Sequence, residues 1–238
     1  MLDREAGRIG RFAWVMAWVG LVAGQLHALS RFATADGKED LELPLTAAWA
    51  EPAAEVFAPL LDWADPDIVY VTYGKIWLPV FVAFTLCAWV VYRRREPVRF
   101  EKWLWRTTIF VYAVACVGVF LDYWTQWTGN YEGEGIEGAL FQLGWYVTLP
   151  SLMLMLVLST VLGVTLLFKR FRPTSSAVLL ALTIPLFLVI TEVTSLGSAA
   201  LPVMFAFGIL GRRLARSDGG DARWSPRDHS RTFVRSGS

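Results

Sequence analysis

The chain has 238 residues, of which 55% are hydrophobic and 14% aromatic, with 12 tryptophans and a formal charge of only +1 at neutral pH. A mean hydropathy of +0.44 is too high for an ordinary soluble domain, and the charges stand in blocks between apolar runs. This pattern predicts an all-α integral membrane protein, a bundle of six transmembrane helices in one domain over residues 1–211.

The first eleven residues carry Arg4, Arg8 and Arg11 against Asp3 and Glu5. An apolar run over residues 12–29 follows, interrupted by Gln25 and His27, and reads as the first span, leaving the cytoplasm. A cleavable signal peptide is the competing reading, because Ala33-Thr34-Ala35 has the small-x-small form of a cleavage site. That site lies well past the apolar run and beyond Arg31, so retention is the expectation. Gly20 and Gly24 form a GxxxG pair, which lets another helix approach closely. His27 lies two turns beyond Gly20 and shares its face, pointing into the bundle.

Residues 31–73 hold nine acids against Arg31 and Lys38, a balance expected of an extracytoplasmic loop. Within it, residues 53–64 predict a short amphipathic helix along the outer interface, weakened by Pro59. Basic residues for anionic lipid are missing there, so this helix reads as a structural lid on the bundle. Asp65-Pro66-Asp67 reads as a turn.

The second span is expected over residues 74–92, with aromatics at its outer end and Arg93 to Arg95 at its inner end, where untranslocatable charge belongs. The third covers 104–123 and places Asp122 on a stripe of small residues that includes Gly118. Residues 125–146 have five glycines before Tyr146 and three glutamates without a cation, and read as a flexible outer loop. The fourth span covers 148–168, with Pro150 in its first turn. The last apolar stretch, residues 176–211, would rise about 54 Å as one helix, against a hydrocarbon core of about 30 Å. A hairpin of two short helices, 176–191 and 197–211, resolves this and returns the following arginines to the cytoplasm. A re-entrant pair that stops below the outer surface is the alternative. The tail, 212–238, is arginine-rich and expected to be disordered, with His229 solvated in it.

Of the 22 lysines and arginines, 19 fall on one side of this arrangement. Such asymmetry predicts both termini in the cytoplasm and a multi-pass protein of the cell (plasma) membrane. Cys87 and Cys116 lie within apolar runs and read as buried free thiols.

Ionisable groups within spans are costly and therefore mark candidate sites. His27, Asp122 and Glu192 each lie 16 residues beyond the inner starts of their spans at Arg11, Arg106 and Ser176, a rise of about 24 Å toward the outside. Lys75 enters the second span at a similar level, and Gln25, Thr191 and Thr194 are neutral neighbours. These side chains are expected to converge in a ligand-binding polar cluster under the outer interface. The bland alternative is that they mark helix ends, where charge is cheap. No metal site is expected, since no closely spaced ligand pair accompanies the cluster. Haem held by two histidines is excluded within the membrane because only His27 lies there. No cofactor and no nucleic-acid partner are expected. The expected partners are membrane lipid and either a lipid-like small molecule or another membrane protein. Two function classes follow: a non-catalytic binding, transport or assembly component with an outward-facing groove, or an intramembrane enzyme using His27 as acid or base.

Overall fold

The computed structural model describes residues 2–95, 97, 99–127, 135–194 and 196–217. Among these it is helical throughout, without strands: α1 (Leu2–Ala33), α2 (Pro44–Leu61), α3 (Pro66–Gly74), α4 (Trp77–Arg95), α5 (Arg99–Val119), α6 (Ile136–Phe168), α7 (Thr174–Ala181), α8 (Thr183–Thr191) and α9 (Leu201–Ser217). Five helical stretches are long and apolar enough to cross a membrane, and α7 with α8, bent by 59°, makes a sixth if the pair counts as one span.

Several boundaries depart from the sequence reading. The first helix begins at Leu2 instead of residue 12, because the charged segment before the apolar run is itself helical, with Arg8 bonded to Glu5 one turn away at 3.3 Å. The expected loop 31–73 is mostly helix. Asp65 is an N-cap whose carboxylate accepts from the Asp67 N–H at 3.0 Å, and Pro66 fills the first helical position, where its missing donor costs nothing. The resulting α3 extends the second span to Pro66–Arg95. Likewise α2 starts at Pro44 and runs through Pro52 and Pro59, losing one helical donor at each. In the expected loop 125–146, helix resumes at Ile136, so Pro150 lies inside α6 and not in its first turn; residues 128–134 lie outside the described set. α9 carries Arg212, Arg213 and Arg216 as helix, and the remaining tail, including His229, is also outside it.

The break between α7 and α8 has a cause in the sequence that periodicity alone does not reveal. Pro185 has no N–H and its ring clashes with the Ala181 carbonyl four residues back, so a straight helix cannot pass. The freed Ile184 N–H is taken up by Thr160 Oγ1 of α6 at 3.3 Å. Gly163 makes room for this approach, since a Cβ there would lie 2.1 Å from the Ala181 nitrogen.

In hydrocarbon, helices do not associate by expelling water, so close packing and internal hydrogen bonds hold the bundle. The centre is Trp105, Tyr112, Phe84 and Phe207, all fully buried. Tyr112 meets Phe84 edge-on at 5.1 Å, and its hydroxyl bonds Ser159 at 2.7 Å. The basic segments gather at one end. Gly10 and Gly211 bring α1 and α9 into backbone contact, a Cβ on Gly10 falling 2.3 Å from the Gly211 carbonyl oxygen. Arg212 stacks on Trp14 at 5.1 Å, buried Glu101 pairs with Arg95, and Arg95 covers Phe171 at 4.9 Å. The opposite end carries the acidic segment around α2. There Thr46 donates to the Glu192 carbonyl at 3.3 Å and Trp49 to the Val193 carbonyl, tying α2 across the end of α8.

Candidate functional site

At this acidic end the structure holds a cavity of about 320 Å³. Its wall is built by α1 (His27, Arg31), by α3 and α4 (Tyr70, Trp77), by the end of α5 (Asp122, Tyr123), by α6 (Trp145, Thr148, Leu152) and by Thr191 and Thr194 after α8. A second cavity of about 560 Å³ shares Arg31, Tyr70, Asp122, Tyr123 and Trp145 with the first and continues to Gln142 and Tyr146.

His27 is 1% exposed and held on three sides by aromatic rings. Tyr70 stacks on it at 4.6 Å, Tyr123 meets it edge-on at 5.3 Å, and Trp77 Nε1–H donates to Nδ1 at 3.1 Å. An indole N–H can only donate, so Nδ1 keeps its lone pair and the neutral ring carries its proton on Nε2. That Nε2–H is buried and has no hydrogen-bond partner among the described residues.

Asp122 sits where α5 widens into a π-helical turn, Phe120–Trp124. A π-turn rotates less per residue, which brings consecutive side chains closer to one face, and such turns recur at functional sites. Here both Asp122 and Tyr123 face the cavity. The carboxyl is 8% exposed and stands beside Thr148, yet Asp122 Oδ1 and Thr148 Oγ1 both lack a partner of good hydrogen-bond geometry. Two glycines permit this approach of α5 to α6. A Cβ on Gly144 would lie 2.3 Å from Asp122 Oδ1, and one on Gly118 would lie 2.3 Å from Thr148 Oγ1.

Arg31 brings a cation to the same wall. Its Nε donates to Asp40 Oδ2 at 2.8 Å, and the chain reaches Asp40 by folding back at Gly37, where a Cβ would fall 1.9 Å from the Arg31 carbonyl oxygen. Leu43 and Thr46 line the cavity as well, so the start of α2 covers it from the acidic side.

Of the expected cluster, the structure brings together His27, Asp122, Thr191 and Thr194. It leaves out Lys75, whose ammonium lies 4.1 Å over the Trp127 ring, and Glu192, which is exposed at the end of α8. Half-buried Gln25 lines neither cavity. Gly20 lies against Val80 and Met204, Gly24 against Trp77, and Gly118 against Thr148. Arg31, Asp40, Tyr70, Trp77, Tyr123, Trp145 and Thr148 were not anticipated. One signal for them exists: Arg31 lies one turn beyond His27, so the two share a face once α1 is given its full length.

Among the described residues, no group of three or more His, Cys, Asp or Glu side chains could hold a metal ion, and Cys87 and Cys116 are free thiols. Compared with protein-family models, with curated proteins and with solved structures, the chain finds no match.

Proposed function

We propose that this multi-pass membrane protein is a non-catalytic binding component, serving transport or assembly, that takes a lipid or small amphiphile into the cavity at its acidic end. The reading places that end outward and both termini in the cytoplasm of the cell membrane, because lysine and arginine concentrate at the other end. One observation carries it: His27 and Asp122, each with a buried polar atom that has no partner among the described residues, stand in the wall of one cavity whose remaining lining includes Trp77, Leu152 and Trp145. Buried polar atoms left unpaired are costly, and a concave apolar site with a few convergent polar groups is the usual form of a ligand pocket. Trp145, in the cavity wall, is itself 48% exposed, so a membrane-borne molecule can approach that wall beside α6.

The enzymatic alternative, with His27 as acid or base, is weakened by the same geometry. The Nδ1 lone pair is engaged by Trp77, and Nε2 already carries the proton in the neutral ring, so His27 can accept a proton only by losing the Trp77 bond. Among the described residues no carboxylate is bonded to the ring, as nucleophile-activating histidines require.

The test is extraction of the purified full chain followed by mass spectrometry of what it carries. Wild type should retain an amphiphile enriched over the bulk lipid, and Leu152→Trp, which fills the cavity, should lose most of it while keeping its thermal stability. A wild-type extract that matches bulk lipid, or retention by Leu152→Trp, overturns the reading.

A further inference from the structure

We propose that α2 is seated in the headgroup layer of the membrane at the acidic end, with an apolar strip on its outer side resting on the acyl chains of neutral lipid. This goes beyond the cavity reading above and needs only that the chain crosses a membrane. Three faces can be told apart on the helix. Toward the bundle, buried Ala50 and Leu61 pack with Leu29 and Phe32 of α1 in a small cluster separate from the main core. At about 100° per residue, Leu45, Val56 and Leu60 fall within about 60° of one another on a second face, while Glu51 and Glu55 occupy a third. The second face is open: Val56 is 73% and Leu45 63% exposed, and Leu60 and Trp63, just past the helix, are exposed as well. The two glutamates are also exposed.

The tethers of α2 set where this strip lies. Thr46 and Trp49 donate to carbonyls at the end of α8, the Leu60 carbonyl accepts from Tyr73 of α3 at 2.7 Å, and Leu29 and Phe32 belong to the last turns of the first span. A helix about 27 Å long and fixed to membrane helices at both of its ends runs across them, along the membrane surface. That is the position in which an amphipathic helix sinks its apolar side about 5–10 Å into the headgroup and acyl boundary, and tryptophans such as Trp63 favour the same layer. Charge selects the lipid. Residues 39–74 contain no lysine or arginine, so nothing on α2 attracts anionic headgroups, and Glu51 and Glu55 repel them. A protein partner fits less well, because a stable interface takes about 800 Å² and about 20–30 residues a side, and Leu45, Val56, Leu60 and Trp63 form a single row.

The experiment is fluorescence quenching on the full chain in phosphatidylcholine vesicles, with a bimane label on one introduced cysteine at a time and the labelled parent chain as background for Cys87 and Cys116. Val56→Cys and Leu60→Cys sample the strip, Glu51→Cys and Glu55→Cys the acidic face, and Val22→Cys an exposed flank of α1 within the first span. All five positions are exposed, so the substitutions leave the packing of the bundle intact. Nitroxide-bearing lipid should quench the Val56 and Leu60 labels about threefold more than the Glu51 and Glu55 labels, and aqueous iodide should show the reverse order. Iodide quenching of the strip as strong as that of the acidic face would place the strip in water, and shielding of the strip from both quenchers would mean that protein covers it, a second copy included; either result overturns the proposal. Stronger lipid quenching at Val56 in phosphatidylglycerol than in phosphatidylcholine vesicles overturns the neutral-lipid assignment. A Val22 label that nitroxide lipid fails to quench overturns the membrane reading itself, which keeps the two failures apart.

Discussion

At the basic end, α1 and α9 meet backbone to backbone at Gly10 and Gly211, and buried Glu101 is matched to Arg95. At the acidic end, α8 leans away at the break before Pro185, short helices bridge the gap, and polar atoms of His27, Asp122 and Thr148 stay unmatched beside a cavity. Unmatched buried atoms occur at the basic end too, at Trp105 Nε1 and Ser176 Oγ, but His27, Asp122 and Thr148 at the acidic end are residues that line a cavity. A bundle held by close packing tolerates such an opening only where other contacts supply stability, which is why binding sites draw on the less stable parts of a fold.

The comparison breaks most visibly under overpacking or unpairing at the basic end. Gly10→Leu forces a branched side chain against the Gly211 carbonyl, where no flexible neighbour can yield, and should cost about 3 kcal/mol, measured as a large fall in Tm in detergent. Glu101→Ala leaves the Arg95 charge unpaired and should cost about 3 kcal/mol as well, at the low end for a buried pair because Arg95 keeps part of its surface in water. A Tm unchanged by either variant would mean the basic end is as loosely held as the acidic one.

A matched pair of enlargements sharpens the contrast. Ala88 lies fully buried in the core toward the basic end, so Ala88→Leu should cost about 1 to 3 kcal/mol. Val119 borders the cavity, so Val119→Leu has space to occupy and should cost less than about 1 kcal/mol. Equal losses of Tm would show that the cavity is not open volume. The smallest effect is expected at the cover: Trp49→Phe removes the bond to the Val193 carbonyl and should cost about 1 kcal/mol, with faster ligand release as the more sensitive readout.

The spans were legible because apolar composition and blocks of arginine fix where a helix can cross, and those signals survive any detail of packing. The site was legible in part. Counting residues from the inner charges gives height along a helix but not direction around it, so His27 and Asp122 were set at the right level together with Glu192, which points away. Glu192 fails because α8 is tilted by the break before Pro185, a change of direction that a count of residues does not register. Lys75 fails because the turn between α3 and α4 re-aims it toward Trp127. Arg31 was missed for the reverse reason: assigning it to a loop hid that α1 continues and carries it one turn beyond His27. Tyr70, Trp77 and Tyr123 escape a reading of the sequence because aromatics at the outer end of a span suit membrane-interface anchoring as well as a cavity lining.

The most direct measurement is nitrogen NMR on the full chain with labelled histidine, which has only two sites, His27 and His229. The account predicts a neutral His27 with its proton on Nε2, an Nε2 resonance that moves when the retained amphiphile is stripped from the protein, and disturbance of Nδ1 by Trp77→Phe. A proton found on Nδ1, or an Nε2 resonance indifferent to every amphiphile the protein retains, would contradict it.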